Sequence, residues 1–182
     1  MDEKQIGLGM FQLSEDGHIL GFDRRWIFFS TALLTNILNS LNDIIGPVAK
    51  RQVYEIGYES GRIAGERVKP FFGGGIEQYK KHLSMLHAMG WGITSKVDFE
   101  ESTGKIVVEF PDSWPAHGYK ELHPNQQTNA PMCYISAGLA SGAAEGAFGI
   151  PYEGEEVNCV SKGDPVCRLV LTPRGEKRKV IK

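Results

Sequence analysis

Two segments of the chain carry glycine at every fourth position, and this pattern limits how the protein can fold. The first is "VYEIGYESGRIAGERV", with Gly57, Gly61 and Gly65, and the second is "MCYISAGLASGAAEGAFG", with Gly138, Gly142 and Gly146. Each glycine costs a helix about 1 kcal/mol relative to alanine, and residues four apart share one helix face. The stripes therefore predict helices that pack closely within the core, against a ligand or across a dimer.

Apolar periodicity and turn residues divide the rest of the chain into further helices and hairpins. The polar stretch 111–131 is rich in proline and is predicted as a loop with a short helical turn. The element order ββ-ααα-ββ-α-ββ indicates an α+β fold, an antiparallel sheet with helices packed against it. The predicted elements are a hairpin at Asp16-Gly17, helices ending at Gly46, Pro70 and Met89, a hairpin turning at 102–104, the second glycine helix and a last hairpin at Gly163.

Length and charge are those of one ordinary globular domain. The 182 residues divide into a domain at 1–172 and a basic tail at 173–182. The formal net charge of −2 provides no general attraction to nucleic acid or to an anionic membrane. The polar start "MDEKQIGLGM" does not resemble a signal peptide, and no apolar run approaches the ~18 residues of a membrane span. We expect a cytoplasmic protein.

Common catalytic motifs are missing from the sequence. "FFGGGIEQ" lacks the lysine and hydroxyl residue of a phosphate-binding loop, and "GLGMFQ" lacks the third glycine of a dinucleotide fingerprint. No serine stands in a nucleophile elbow. We assign no catalytic residues.

Three cysteines are the strongest chemical feature. Cys159 and Cys167 flank the turn "KGDP", and Cys133 begins the second glycine helix. From the residues alone, a disulfide, buried thiols and a metal site all remain open. Three thiolates and one nitrogen or oxygen donor would suit a tetrahedral zinc ion.

The stretch "CYISAGLASGAAEGAFGIPYEGEEVNCVSKGDPVCRLVL" resembles the C-terminal signature of the 4-vinyl-reductase domain family. Upstream, "LNDIIGPVAKRQVYEIGYESGRIAGE" is similar to the helical pair of that family. The relatives include ligand-sensing domains of aromatic-responsive bacterial activators. The resemblance implies the ligand-binding domain of the nitric-oxide-signalling and Golgi-transport type, commonly a homodimer. The signature residues are Glu156, Cys159, Gly163, Asp164, Cys167 and Arg168.

The resemblance also implies a structural metal site. Its ligands would be Cys133, Cys159 and Cys167, with Glu109 of "VVEFPDSW" as the fourth. Zinc is the expected ion. An iron–sulfur cluster on the same cysteines is the alternative.

Four residues are predicted to line a ligand pocket, with ordinary core packing as the competing interpretation. They are His87, Trp91, Phe110 and Trp114. In the resembling sensors, a histidine of the third-helix region and an aromatic residue hold phenol. Phe110 matches that aromatic residue but has no indole N–H, which favours a more apolar planar or lipid-like ligand. His82 competes with His87 for the histidine position.

We therefore predict a regulatory or accessory domain that binds a hydrophobic or aromatic small molecule and has a structural zinc site. A separate signalling or enzyme partner would carry the output. The alternative is an enzyme or accessory protein in tetrapyrrole vinyl reduction. A third possibility is an interaction module without a ligand.

Overall fold

The computed structural model describes residues 11–21, 24–27 and 29–175, and these form an α+β fold. The strands are β1 (Gln12–Leu13), β2 (Ile19–Gly21), β3 (Arg24–Trp26), β4 (Gly92–Ile93), β5 (Lys96–Glu100), β6 (Lys105–Phe110), β7 (Asp112–Ser113), β8 (Tyr152–Asn158) and β9 (Cys167–Pro173). The helices are α1 (Thr31–Ile45), α2 (Val48–Phe72), α3 (Gly75–Ala88), α4 (Trp114–Leu122) and α5 (Tyr134–Phe148).

The main sheet has four antiparallel strands in the order β5-β6-β9-β8. Alternate residues of β6 and β9 fill its inner face, and Ile106, Val108, Leu169 and Leu171 are fully buried there. Each of these strands therefore has one face in the core and one toward solvent. The predicted hairpin turn at 102–104 is present, with Gly104 at a φ of 71°.

Helix α5 is the centre of the molecule, packed between α2 and the sheet. The two glycine stripes face each other, because a Cβ added at Gly61 would strike the backbone of Leu139 and one at Gly142 the backbone of Tyr58. Contacts advance along both helices together, so α2 and α5 run parallel. The stripes thus serve close packing within the chain, one of the interpretations that the sequence left open.

A tyrosine connects these layers through hydrogen bonds. The Tyr54 hydroxyl of α2 donates to Ser141 Oγ of α5 at 3.0 Å, and it accepts from the Gly154 N–H of β8 at 2.9 Å. Gly154 has no side chain, so β8 lies directly against α5 near Ser141.

The structure departs from the sequence prediction at three places. The stretch predicted as a loop with one helical turn contains the nine-residue helix α4, with Pro115 in its first turn, where proline is well tolerated. Helix α2 continues through Pro70 to Phe72, since a proline in the last turn affects few hydrogen bonds. A third short strand, β3, precedes α1, which is capped by the Ser30 side chain.

The ends of the predicted domain are only partly described. Strand β9 runs to Pro173, and the Arg174 N–H donates to the Pro151 carbonyl at 2.7 Å. Most of the predicted tail, residues 176–182, lies outside the described residues, as does the beginning of the first hairpin. None of the helices in the described part of the chain has the length and apolar character needed to cross a bilayer.

Candidate metal centre and ligand site

Four side chains that can bind a metal converge at the base of α5. Cys133 stands at the N-terminus of α5, Glu156 near the end of β8, Cys159 in the turn after it, and Cys167 at the start of β9. One ligand atom from each lies within 4.8 Å of all the others. The three cysteines are at most 1% exposed. The hairpin that the sequence predicted around Gly163 brings Cys159 and Cys167 together.

The sulfur separations suit a single metal ion better than a disulfide. Cys133 Sγ lies 3.6 Å from Cys167 Sγ, which lies 4.0 Å from Cys159 Sγ. A disulfide bond would require about 2.05 Å, and all three cysteines are free. A tetrahedral site with zinc–sulfur bonds of about 2.3 Å has sulfur–sulfur edges of about 3.8 Å. The observed distances fall on either side of that value.

Polar groups around the cysteines orient the ligand atoms. The Val160 N–H donates to Cys167 Sγ at 3.3 Å, and Ser161 Oγ lies 3.0 Å from Cys159 Sγ. The Cys133 N–H donates to Glu156 Oε2 at 2.7 Å, while Glu156 Oε1 is buried without a hydrogen-bond partner among the described residues. Such a second layer of hydrogen bonds is typical of metal sites, and Oε1 remains available for a cation.

Burial of these groups favours a bound cation. Hydrogen bonds from the Cys133 and Cys167 thiols hold the pKa of Cys159 well below its usual range. Burial, together with the negative charge on Cys159, raises the pKa of Glu156 to about 8. Ionised ligands packed this closely repel one another in the interior unless a positive charge lies among them. The donor set therefore fits a soft divalent metal ion.

The predicted fourth ligand, Glu109, does not lie with the cysteines. It pairs across the sheet with Arg168, whose Nη2 lies 2.8 Å from Glu109 Oε1. Phe110 is the residue that pairs with Cys167, and adjacent strand residues point to opposite faces. Glu109 therefore lies on the sheet face away from the thiols. The carboxylate in the group is that of Glu156.

The sequence contained a signal for Glu156 that we read only as part of a motif. Glu156 pairs with Leu169, two residues beyond Cys167, so both face the interior. A glutamate on the buried face of a strand, three residues before a cysteine, needs a partner because an unpaired buried charge is unfavourable.

The four residues predicted to line a pocket lie in different environments. His87 is exposed and borders a surface cavity of about 270 Å³ with Lys80 and Lys96. Trp91 contacts Trp114 edge to face at 5.9 Å between ring centroids. Phe110 packs against both the main core and the cysteine cluster. A pocket formed by all four remains a proposal.

Buried polar groups near this region lack partners. His82 is 3% exposed and Trp114 5% exposed. His82 Nδ1, Trp114 Nε1 and the Tyr79 hydroxyl make no hydrogen bond within the described part of the chain. Each group left unpaired in the interior costs about 1–3 kcal/mol. Of the two histidines considered from the sequence, His82 is the buried one.

Acid is expected to destabilise the protein through His82. Burial lowers the pKa of His82 to about 4 in the folded protein, from 6.5 when solvated. Above pH 6.5 the side chain is neutral in both states. As the pH falls from 6.5 to 4, only the unfolded chain gains the proton, so the free energy of unfolding falls by up to about 3 kcal/mol.

Urea unfolding at several pH values measures this effect. Acid also displaces metal ions from thiolates, so the relevant quantity is the difference between wild type and His82→Gln at each pH. That difference should change between pH 6.5 and 4. The matched control is His87→Gln, at an exposed histidine of the same helix. Parallel stability curves for wild type and His82→Gln would contradict the prediction.

A larger cavity, of about 380 Å³, lies beside the N-terminus of α5. It is bordered by α1, the first turns of α2, α4 and the segment from Gln127 to Tyr134. None of the four predicted pocket residues lines it. No sequence pattern indicated this cavity, because its walls come from four separate segments.

Comparison with protein families confirms the resemblance over the last third of the chain. The model described as the vinyl-4-reductase (V4-R) domain matches residues 120–173, a segment that includes α5, the last hairpin and the four possible metal ligands. No curated protein sequence matches the chain.

Solved structures confirm the predicted fold. The phenol-responsive sensory domain of the transcription activator PoxR, solved with phenol, superposes with a TM-score of 0.80 and 21% identity, covering 94% of this chain and 88% of that one. An H-NOX protein from S. oneidensis in the Fe(II)NO ligation state gives 0.53 and 13%, covering 84% and 82%. A trafficking protein particle complex subunit 3 from Naegleria fowleri, covalently bound to palmitic acid, gives 0.50 and 14%, covering 82% and 98%. At these identities the likeness shows the fold alone.

Proposed function

We propose that this protein is a regulatory or accessory domain that binds a hydrophobic or aromatic small molecule and is stabilised by a structural zinc ion. The observation that carries the ligand-binding part is the buried, unpartnered nitrogen on each of His82 and Trp114 among the described residues, because such groups are satisfied when a ligand supplies the missing partner. The shared fold supports this, since PoxR's sensory domain was solved with phenol.

Zinc is the ion that we propose for the group of Cys133, Glu156, Cys159 and Cys167. Three soft sulfurs and one oxygen are a suitable donor set for it. With four protein ligands no position remains for a reactive water, so the ion would be structural. An iron–sulfur cluster would insert several irons and sulfides among the thiolates and would need sulfurs that lie further apart.

The proposed ligand site keeps Trp91, Phe110 and Trp114 and takes His82 as its buried histidine. Phe110 supplies an apolar face without a donor, whereas the Trp114 N–H is a buried donor. The neutral His82 ring can also donate or accept. A planar apolar ligand with one polar atom would satisfy these groups.

Truncation of Phe110 is expected to weaken ligand binding without affecting the metal. Because a buried aromatic ring contributes a large contact area, Phe110→Ala should lower the affinity for 1-naphthol by about tenfold. His82→Ala should have a similar effect, and His87→Ala a smaller one. Fluorescence titration measures the affinity, and elemental analysis measures the metal.

The matched control for that titration is Phe71→Ala, at a phenylalanine on α2 that is 71% exposed. Equal affinity for 1-naphthol in wild type, Phe110→Ala and His82→Ala would refute the proposed site. Absence of any binding by wild type would refute the ligand-binding function for this ligand class.

We also propose a homodimer, formed through α1. The glycine stripes no longer support a dimer, because they pack α2 on α5 within one chain. Helix α1, however, exposes Leu33, Ile37 and Ile44, and these are 45%, 46% and 77% accessible. An apolar surface of this kind is typical of an interface. A second copy of the chain is the partner that the family resemblance implies.

Sedimentation velocity tests the dimer. Wild type should sediment as a dimer at micromolar concentration, and Ile37→Glu as a monomer, because a charge in an apolar interface is costly. Val157→Glu, on β8, is the control at an apolar residue of similar exposure. A monomeric wild type would exclude the proposal.

A further inference from the structure

The cavity of about 380 Å³ has an apolar part and a cationic part. Leu38 of α1, Val53 of α2 and Met132 form apolar walls. Lys50, in the first turn of α2, also lines the cavity, and its ammonium lies 5.1 Å from the centroid of the Tyr134 ring. Its composition is that of a small-molecule site, in which a few polar groups orient an apolar ligand.

The cationic part of the cavity has no anion to match it. Lys50 forms no ion pair with a carboxylate in the part of the chain that the structure describes. The Tyr134 hydroxyl beside it is buried and has no hydrogen-bond acceptor among the described residues. A phenolic hydroxyl can donate a hydrogen bond to an oxygen. A ligand oxygen would satisfy both groups.

The start of α2 adds to the positive potential. The helix runs for 25 residues from Val48, has no acidic residue in its first turn and receives no side-chain hydrogen bond at its cap. Ala49 and Lys50 of that turn line the cavity. The N-terminus of a long helix carries a partial positive charge that favours an anion.

The opposite wall is fastened to the metal centre. The Thr128 N–H donates to the Ser161 carbonyl at 2.9 Å, and the two hydroxyl oxygens are also 2.9 Å apart. Ser161 Oγ in turn lies 3.0 Å from Cys159 Sγ. Because buried hydrogen bonds hold this wall, the cavity exists before a ligand enters.

We propose that this cavity is a second binding site, for a small amphipathic carboxylate. The carboxylate lies between Lys50, Tyr134 and the first turn of α2, and the apolar chain lies along Leu38, Val53 and Met132. The site is separate from the aromatic region proposed above, so either can exist without the other.

Calorimetric titration with octanoate and with the neutral octanol tests the proposal. Octanoate should bind at least about tenfold more tightly than octanol, because a charged hydrogen-bonded pair adds to the apolar contact. Lys50→Met should abolish the difference. Val53→Trp, which fills the apolar part, should weaken both ligands. Lys80→Met, at the smaller cavity near His87, is the matched control and should change neither.

The outcomes separate this site from the aromatic one. Octanoate binding that is unaffected by Phe110→Ala but lost in Lys50→Met supports the proposal, whatever 1-naphthol does. Equal binding of octanoate and octanol, or octanoate binding retained by Lys50→Met, overturns it and means that Lys50 only balances the charge of the nearby thiolates. Failure of wild type to bind octanoate also overturns it. Retained metal in each variant verifies that it is folded.

Discussion

Cys167→Ser is expected to release the metal ion and to lower the melting temperature by about 10–20 °C, since the energy of binding a structural metal is also energy of folding. Cys167 contributes the sulfur that lies 3.6 Å from Cys133 Sγ and 4.0 Å from Cys159 Sγ. Serine oxygen is a harder donor and binds zinc poorly in place of a thiolate. Elemental analysis and thermal unfolding measure the two effects.

Leu169→Val is the matched control for this variant. Leu169 lies two residues further along β9, faces the same side of the sheet and is fully buried. The substitution should cost about 1 kcal/mol from the lost methylene and leave the metal in place. If Cys167→Ser kept one metal ion per chain, or melted at the wild-type temperature, the metal site would not have the structural role assigned to it.

Gly142→Ala is expected to be the most damaging substitution of a single methyl group. The new Cβ would lie well inside van der Waals distance of the Tyr58 carbonyl oxygen and 2.7 Å from the Arg62 nitrogen. Backbone atoms cannot rotate away, so α2 and α5 must separate along their contact. We expect a loss of about 3 kcal/mol or more, although alanine is the better helix former. Urea unfolding measures it.

Gly65→Ala is the comparison within the same contact. Its Cβ would lie 3.0 Å from the nearest backbone atom, a much smaller overlap. The gain in helix propensity, about 1 kcal/mol, should offset most of the strain. Equal stability of the Gly142→Ala and Gly65→Ala proteins would mean that α2 and α5 are not packed backbone to backbone. Gly61→Leu should prevent folding, and not merely separate a dimer.

The sequence predicted those features that depend on local patterns. Glycine spacing indicated the two closely packed helices, and Gly163-Asp164-Pro165 indicated the turn that joins Cys159 to Cys167. The cysteines were correctly grouped by the family signature. In each case a few neighbouring residues contain the information.

Features that depend on sheet register were not predicted. Choosing Glu109 over Glu156 required knowing that Phe110 pairs with Cys167, and a shift by one residue exchanges the two faces of a strand. The burial of His82 and the exposure of His87 likewise depend on where α3 packs. The cavity beside Lys50 combines side chains from α1, α2, α4 and a loop, whose proximity no local pattern indicates.

Native mass spectrometry of protein purified without chelators tests the central claim most directly. The folded chain should carry one zinc ion, lost together with folded structure when a chelator is added, and its three thiols should be protected from alkylation while the ion is bound. The group of Cys133, Glu156, Cys159 and Cys167 offers four ligands for it. A metal-free mass with three freely reactive thiols, or the mass of an iron–sulfur cluster, would contradict the claim.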